Sequence, residues 1–115
     1  MPHVLYVGNA FSLSMLEKDT RGGLQRAPLY LGSAAAAKER IANWSSYGAE
    51  IVSCVGHADV AAIFCQLLGR YIPVNRISVK LDDHSCILVG QYSGPRLPEG
   101  ATKLPEGAAI EWWIV

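Results

Sequence analysis

The sequence predicts a single α/β domain spanning residues 1–115, in which a mixed sheet of about five strands is flanked by two or three helices. Three stretches carry this expectation. Glu50–Val55 is an apolar run that passes through Gly56-His57 directly into Ala58–Leu68, where apolar residues recur at helical spacing. Val4–Gly8 is a second apolar run, ended by Gly8-Asn9 and followed by a short helical pattern. Ala108–Val115 alternates Ile110, Trp112 and Ile114 against Glu111 and Trp113, which is the period of a strand.

With 115 residues, half of them hydrophobic, the chain is long enough to bury one core and too short for two ordinary ones. Ten basic and ten acidic residues leave no formal net charge. That balance argues against long duplex nucleic acid or an anionic membrane surface as partner, while a small anionic ligand needs only local positive charge. No apolar run approaches a spanning segment, and the amino terminus lacks the basic region and apolar core of a signal peptide, so a cytoplasmic protein is expected. Cys54, Cys65 and Cys86 are odd in number and lie in apolar surroundings, the pattern of small buried residues and not of a disulfide framework. His3, His57 and His84 have no short ligand spacing, so neither a metal nor another cofactor is expected.

Taken in order, Ser12 caps a short helix whose inner face is Leu13 and Leu16, with Phe11 as a preceding staple. Asp19–Arg26, with Gly22-Gly23, reads as a loop. Ala27–Gly32 is a short strand that Pro28 keeps from a central position. Ser33 caps a helix over Ala34–Trp44, with Ala37, Ile41 and Trp44 on one face. In the helix after His57 the buried stripe is Val60, Phe64, Leu67 and Leu68, and Gly69 stops it. Ile77–Leu81 alternates and is read as a strand that turns at Asp82-Asp83 and returns as His84–Tyr92, a hairpin. Ser93–Gly107, rich in proline and glycine, is a partly rigid loop before the last strand. Trp113 points to the face opposite Trp112, so that face is expected to be covered by a helix or a second subunit.

The chemistry concentrates at the strand-to-helix turn. A strand flowing into a helix sets Gly56-His57 beside the four unpaired N–H groups of the first helical turn, an arrangement that favours an anion. Histidine is the side-chain type suited to proton transfer near neutral pH, so His57 could give a proton to a leaving oxygen. If β-strands Val4–Gly8 and Glu50–Val55 are parallel, Asn9, Ser12 and His57 open onto one sheet edge. Arg76 and Arg96 each follow a constrained element and offer a guanidinium to a phosphate, and Glu99 follows Arg96 by three residues. Each has a structural alternative. His57 can be a plain turn residue, Arg96 and Glu99 a surface ion pair, and Asn9 and Ser12 ordinary caps.

The same residues carry a resemblance. Asn9-Ala10-Phe11-Ser12 with Met15-Leu16, Gly56-His57 opening a helix, Asn75-Arg76 opening a strand, and Arg96-Leu97-Pro98-Glu99-Gly100 resemble, in order, the viral anti-CRISPR ring nucleases that also occur in bacterial type III CRISPR loci. The resemblance implies a two-fold homodimer that binds cyclic tetra-adenylate across its interface. It implies metal-free cleavage to linear di-adenylate bearing a 2′,3′-cyclic phosphate, by in-line attack of a ribose 2′-hydroxyl. His57 would be the general acid, Arg96 would hold the scissile phosphate, and Glu99 would orient that arginine or the ribose. Asn9, Ser12, Gly56, Arg76 and Gln91 would contact the nucleotide. A non-catalytic sensor or sponge for the same ring is the alternative.

Overall fold

The computed structural model describes residues 3–16 and 26–115. The expected loop Asp19–Arg26 therefore lies, apart from Arg26, outside the described residues. In chain order the elements are β1 (Val4–Gly8), a 3-10 turn (Leu13–Met15), β2 (Leu29–Gly32), α1 (Ala34–Ser46), β3 (Glu50–Ser53), α2 (Ala58–Leu68), β4 (Ser85–Ser93) and β5 (Ala109–Ile114). The strands form one five-stranded sheet in the order β2-β5-β4-β1-β3. β1 pairs parallel with both β3 and β4, whereas β5 runs antiparallel to β4 and β2. The expected α/β class and mixed sheet are therefore those of the fold.

The two helices cover the same face. Leu5, Val7, Leu88, Trp112 and Ile114 of the sheet pack with Ala37 and Ile41 of α1 and with Ala61, Phe64 and Leu68 of α2. Ser33 caps α1 by accepting a hydrogen bond from Ala36 N, as its position before the alanine run predicts. Ala37 is fully buried, and its small side chain lets α1 approach the sheet. Gly90 of β4 has the same function on a larger scale. A Cβ there would stand 2.7 Å from both Phe64 Cζ and Trp112 Cζ3, so only glycine admits these two rings, centroids 4.8 Å apart, across the strand.

The opposite face is covered without a long helix. Ile87 and Val89 pack with Val79 and Leu81, against which Tyr6, Phe11, Met15 and Val115 lie partly buried. Here one expectation fails. Ile77–Leu81 is not a strand and makes no hairpin with β4; among the described residues its one bridge is the pairing of Leu81 with Leu16, in which Leu81 N donates to Met15 O at 2.7 Å. Both edges of β4 are already occupied, by β1 and β5, so no ladder remains for this segment. Its alternation is real but serves to plug the helix-free face with Val79 and Leu81. Consequently Asn75-Arg76 does not open a strand either.

The chain changes face by wrapping the outer edge of β3. Ile72 belongs to the helix-side core, and Asn75 then donates from N to Val55 O and from Nδ2 to Ser53 O, both at 2.8 Å. Ser53 Oγ closes the clasp by donating to Pro73 O at 2.6 Å. Within the sheet, β4 and β5 form the true hairpin, and their connection starts tightly. Gly94 has φ +135, and a Cβ on it would meet Ala108 Cα at 2.7 Å.

Candidate functional site

Parallel pairing of β1 with β3, Val7 opposite Ser53, carries both chains to the carboxyl edge of the sheet side by side. Cys54 N donates to Val7 O at 2.9 Å, and just beyond this bond Gly8-Asn9 and Gly56-His57 leave the strands. A cleft of about 530 Å³ opens there, lined by Asn9, Cys54, Gly56, His57, Arg76 and Ser78 among others. His57 is the N-cap of α2, in extended conformation (φ −130, ψ 135), and its ring makes no capping hydrogen bond. The imidazole is exposed and makes no hydrogen bond among the described residues, next to first-turn N–H groups that the helix itself does not use.

Arg76 enters from the clasp around β3. Its Nε donates to Gly56 O at 2.8 Å, which leaves the remaining guanidinium N–H groups for a ligand and fixes the arm against the Gly56-His57 turn. Cys54 is the only thiol lining this cleft, yet it is not a ready nucleophile. Burial pushes the Cys54 thiol up to about 11, and its Sγ donates to Val7 O at 3.5 Å. Peptide mapping after brief iodoacetamide treatment at pH 8 is therefore expected to find Cys54 unmodified in the native protein and alkylated in urea. Because the folded pKa is raised, this thiol also withdraws stability as pH rises past the ordinary cysteine value, where only the unfolded form ionises.

The other expected residues are distributed around this cleft. Arg96 and Glu99 are not in it; together with Asp59 of the first turn of α2 they line a neighbouring cleft of about 500 Å³. The first turn of α2 thus stands between them, with His57 on one side and Asp59 on the other. Tyr92 Oη donates to Pro95 O and so ties down the stretch that presents Arg96. Gln91 and Asn9 line a third cleft, of about 360 Å³, on the helix-free face, with Phe11, Pro28, Val89 and Trp113. Asn9 and Ala10 belong to both the first cleft and this one, so the two are continuous.

Ser12 lines none of the three. Its Oγ accepts from Ser14 N at 3.2 Å and lies 2.6 Å from Ser14 Oγ, which is the capping role. Cys54, Phe11 and Trp113 were not among the expected site residues. Trp113 was marked by its place on the face opposite Trp112, and with Trp112 as one element that could close over a ligand; Phe11 stood inside the Asn9-Ala10-Phe11-Ser12 motif with no role given to it, and nothing local marks Cys54 as a site residue. A separate hollow of about 520 Å³, with His3, Arg40, Trp44 and Tyr47, lies at the amino ends of β1 and β3 and holds none of the expected site residues. Among the described residues no group of three or more His, Cys, Asp or Glu is placed to hold a metal ion, and no helix is long and apolar enough to cross a membrane.

Comparison with known proteins agrees with this architecture. The structure of B116 from Sulfolobus turreted icosahedral virus superposes with a TM-score of 0.69, covering 96% of each chain at 18% sequence identity, a likeness of fold. A search of curated proteins finds no match. The family model described as STIV B116-like matches residues 5–110, nearly the whole chain and every element from β1 into β5. The chain belongs to the STIV B116-like family.

Proposed function

We propose that the protein is a metal-independent ring nuclease that opens cyclic tetra-adenylate. The observation that carries this reading is the gathering of Asn9, Gly56, His57 and Arg76 in one cleft at the amino end of α2, the first three by the parallel β1–β3 register and Arg76 by its bond to Gly56 O. Membership of a family named for a viral protein is compatible with the resemblance to viral anti-CRISPR ring nucleases.

In this reading a phosphate of the ring sits against the first turn of α2, gripped by Arg76. The adjacent ribose 2′-hydroxyl attacks phosphorus in line, its proton passing to solvent, and the P–O5′ bond breaks. His57 gives its proton to the departing 5′-oxygen. No water is consumed, and two such cleavages yield two di-adenylates, each with a 5′-hydroxyl and a 2′,3′-cyclic phosphate. The ring then crosses the first turn of α2, so that Arg96 holds the scissile phosphate from the neighbouring cleft and Glu99 orients that arginine or the attacking ribose. A two-fold homodimer would offer each strand-to-helix edge twice, matching a ring of four phosphates.

The separation of His57 from Arg96 and Glu99 into adjoining clefts favours a second reading, a non-catalytic sensor or sponge for the same ring. One experiment separates the two. Labelled cyclic tetra-adenylate incubated with the protein in EDTA is expected to give di-adenylate cyclic phosphate. Ring that is bound but recovered intact would leave the sponge, and ring that is neither bound nor cut would overturn both.

A further inference from the structure

We propose that the hollow at the amino ends of β1 and β3 is a second ligand site, one that takes a small anion carrying a planar ring. It lies at the opposite end of β1 from the His57 cleft and does not depend on the ring-nuclease reading.

The walls come from two directions. On α1 and its cap, Arg40, Asn43, Trp44 and Tyr47 recur at helical spacing, so they form one stripe that runs to the end of the helix. From the sheet side comes His3, whose backbone is fixed through its neighbours. Glu50 N donates to His3 O at 2.8 Å, and Val4 N donates to His84 O at 3.0 Å. The His3 ring meets the indole of Trp44 edge on, with centroids 6.0 Å apart, and lies 5.6 Å from the ring of His84. The half-buried indole is thereby braced by the strand ends before a ligand arrives.

Three properties of the hollow define its occupant. Its volume of about 520 Å³ is that of a site for a small molecule. Arg40 lines it and no carboxylate does, so its guanidinium faces the space without a counter-charge in the wall, which suits a phosphate or carboxylate gripped by two parallel hydrogen bonds. The third is Tyr47, an aromatic side chain 85% exposed immediately after the last turn of α1. With Trp44 it offers ring faces on either side of a flat group, and such stacking tolerates many ring types. The anionic group, not the identity of the ring, therefore sets the preference. A nucleotide phosphate and an aromatic carboxylate share this chemistry.

The test reads Trp44 directly. Its side-chain N–H, identified in a 15N–1H correlation spectrum by its loss in Trp44→Phe, is followed during titration with 5′-adenylate, indole-3-carboxylate, adenosine and inorganic phosphate. At least one of the two ring-bearing anions is expected to move it saturably, and to bind at least about tenfold tighter than adenosine or phosphate alone. A response to adenylate only would assign a nucleotide, and a response to the carboxylate only would assign an aromatic acid. Arg40→Gln keeps a good helix former at its position and is expected to weaken the bound anion by at least about tenfold while the resonance of the fully buried Trp112 stays in place. Cleavage of cyclic tetra-adenylate in EDTA is expected to be the same in this variant as in the unaltered protein.

A Trp44 resonance that none of the four compounds moves overturns the site. So does adenosine that binds as tightly as adenylate, or anion binding that Arg40→Gln leaves unchanged. If the Trp44 response instead disappears in Arg76→Gln, the anion is held in the His57 cleft and the second site falls as well.

Discussion

Under the proposed ring-nuclease function, replacing His57 by alanine is expected to slow ring opening about 10²–10⁴-fold while leaving nucleotide affinity within about threefold, the usual contribution of a positioned general acid. The His57 side chain makes no capping bond and is exposed, so its removal takes no hydrogen bond from α2 and opens no cavity. The effect should therefore fall on the chemical step, about 3–6 kcal/mol of barrier at roughly 1.4 kcal/mol per factor of ten. His57→Asn sharpens the test. Asparagine is a favourable N-cap and keeps or improves helix stability, but its amide cannot surrender a proton at neutral pH. Single-turnover cleavage and equilibrium binding, measured side by side, should show both variants binding and neither cutting efficiently. A fall in rate smaller than about tenfold would mean that another group protonates the leaving oxygen, or that no such step occurs.

Trp112→Ala is expected to remove about 3–5 kcal/mol of folding stability, the range for truncating a fully buried large aromatic side chain. Against a total of about 5–15 kcal/mol for a typical domain, this is enough to leave the variant partly unfolded at 37 °C. Trp112 is completely inaccessible, and its ring lies over Gly90 against Phe64, joining β5 and β4 to α2. Phe64 is itself fixed in the core, and Gly90 has no side chain to extend. Urea denaturation followed by far-UV circular dichroism should show the midpoint falling with little change in slope. A loss below about 1 kcal/mol would mean that the β5–α2 contact is far looser than the packing described.

Much of the fold was legible because its signals are local. The strand-turn-helix at Glu50–Leu68, the Ser33 cap before the alanine run, the Gly69 stop and the alternation of β5 each declare themselves within a few residues, and each stands in the structure. The hairpin expected between Ile77–Leu81 and His84–Tyr92 shows the limit of such reading. Alternation reports that one side of a segment is buried, not whether its backbone finds an edge to pair with. β4 had both edges occupied, by a strand far earlier in the chain and by one later, and no local pattern encodes that.

The candidate site divides the same way. The sequence by itself determined which residues bring chemistry and where the main chain turns: a histidine at the mouth of a helix, a glycine before it, and arginines after constrained segments. Only the tertiary structure decided who stands beside whom. Parallel pairing joined Asn9 to His57, the clasp around β3 delivered Arg76 to Gly56, the first turn of α2 kept Arg96 and Glu99 in a neighbouring cleft, and the helix-free face gathered Gln91 with Phe11 and Trp113. The physical reason is that capping, turns and periodicity are set by bonds between near neighbours in the chain. Cleft membership depends instead on strand order and on the wrapping of distant segments, which the whole core selects at once.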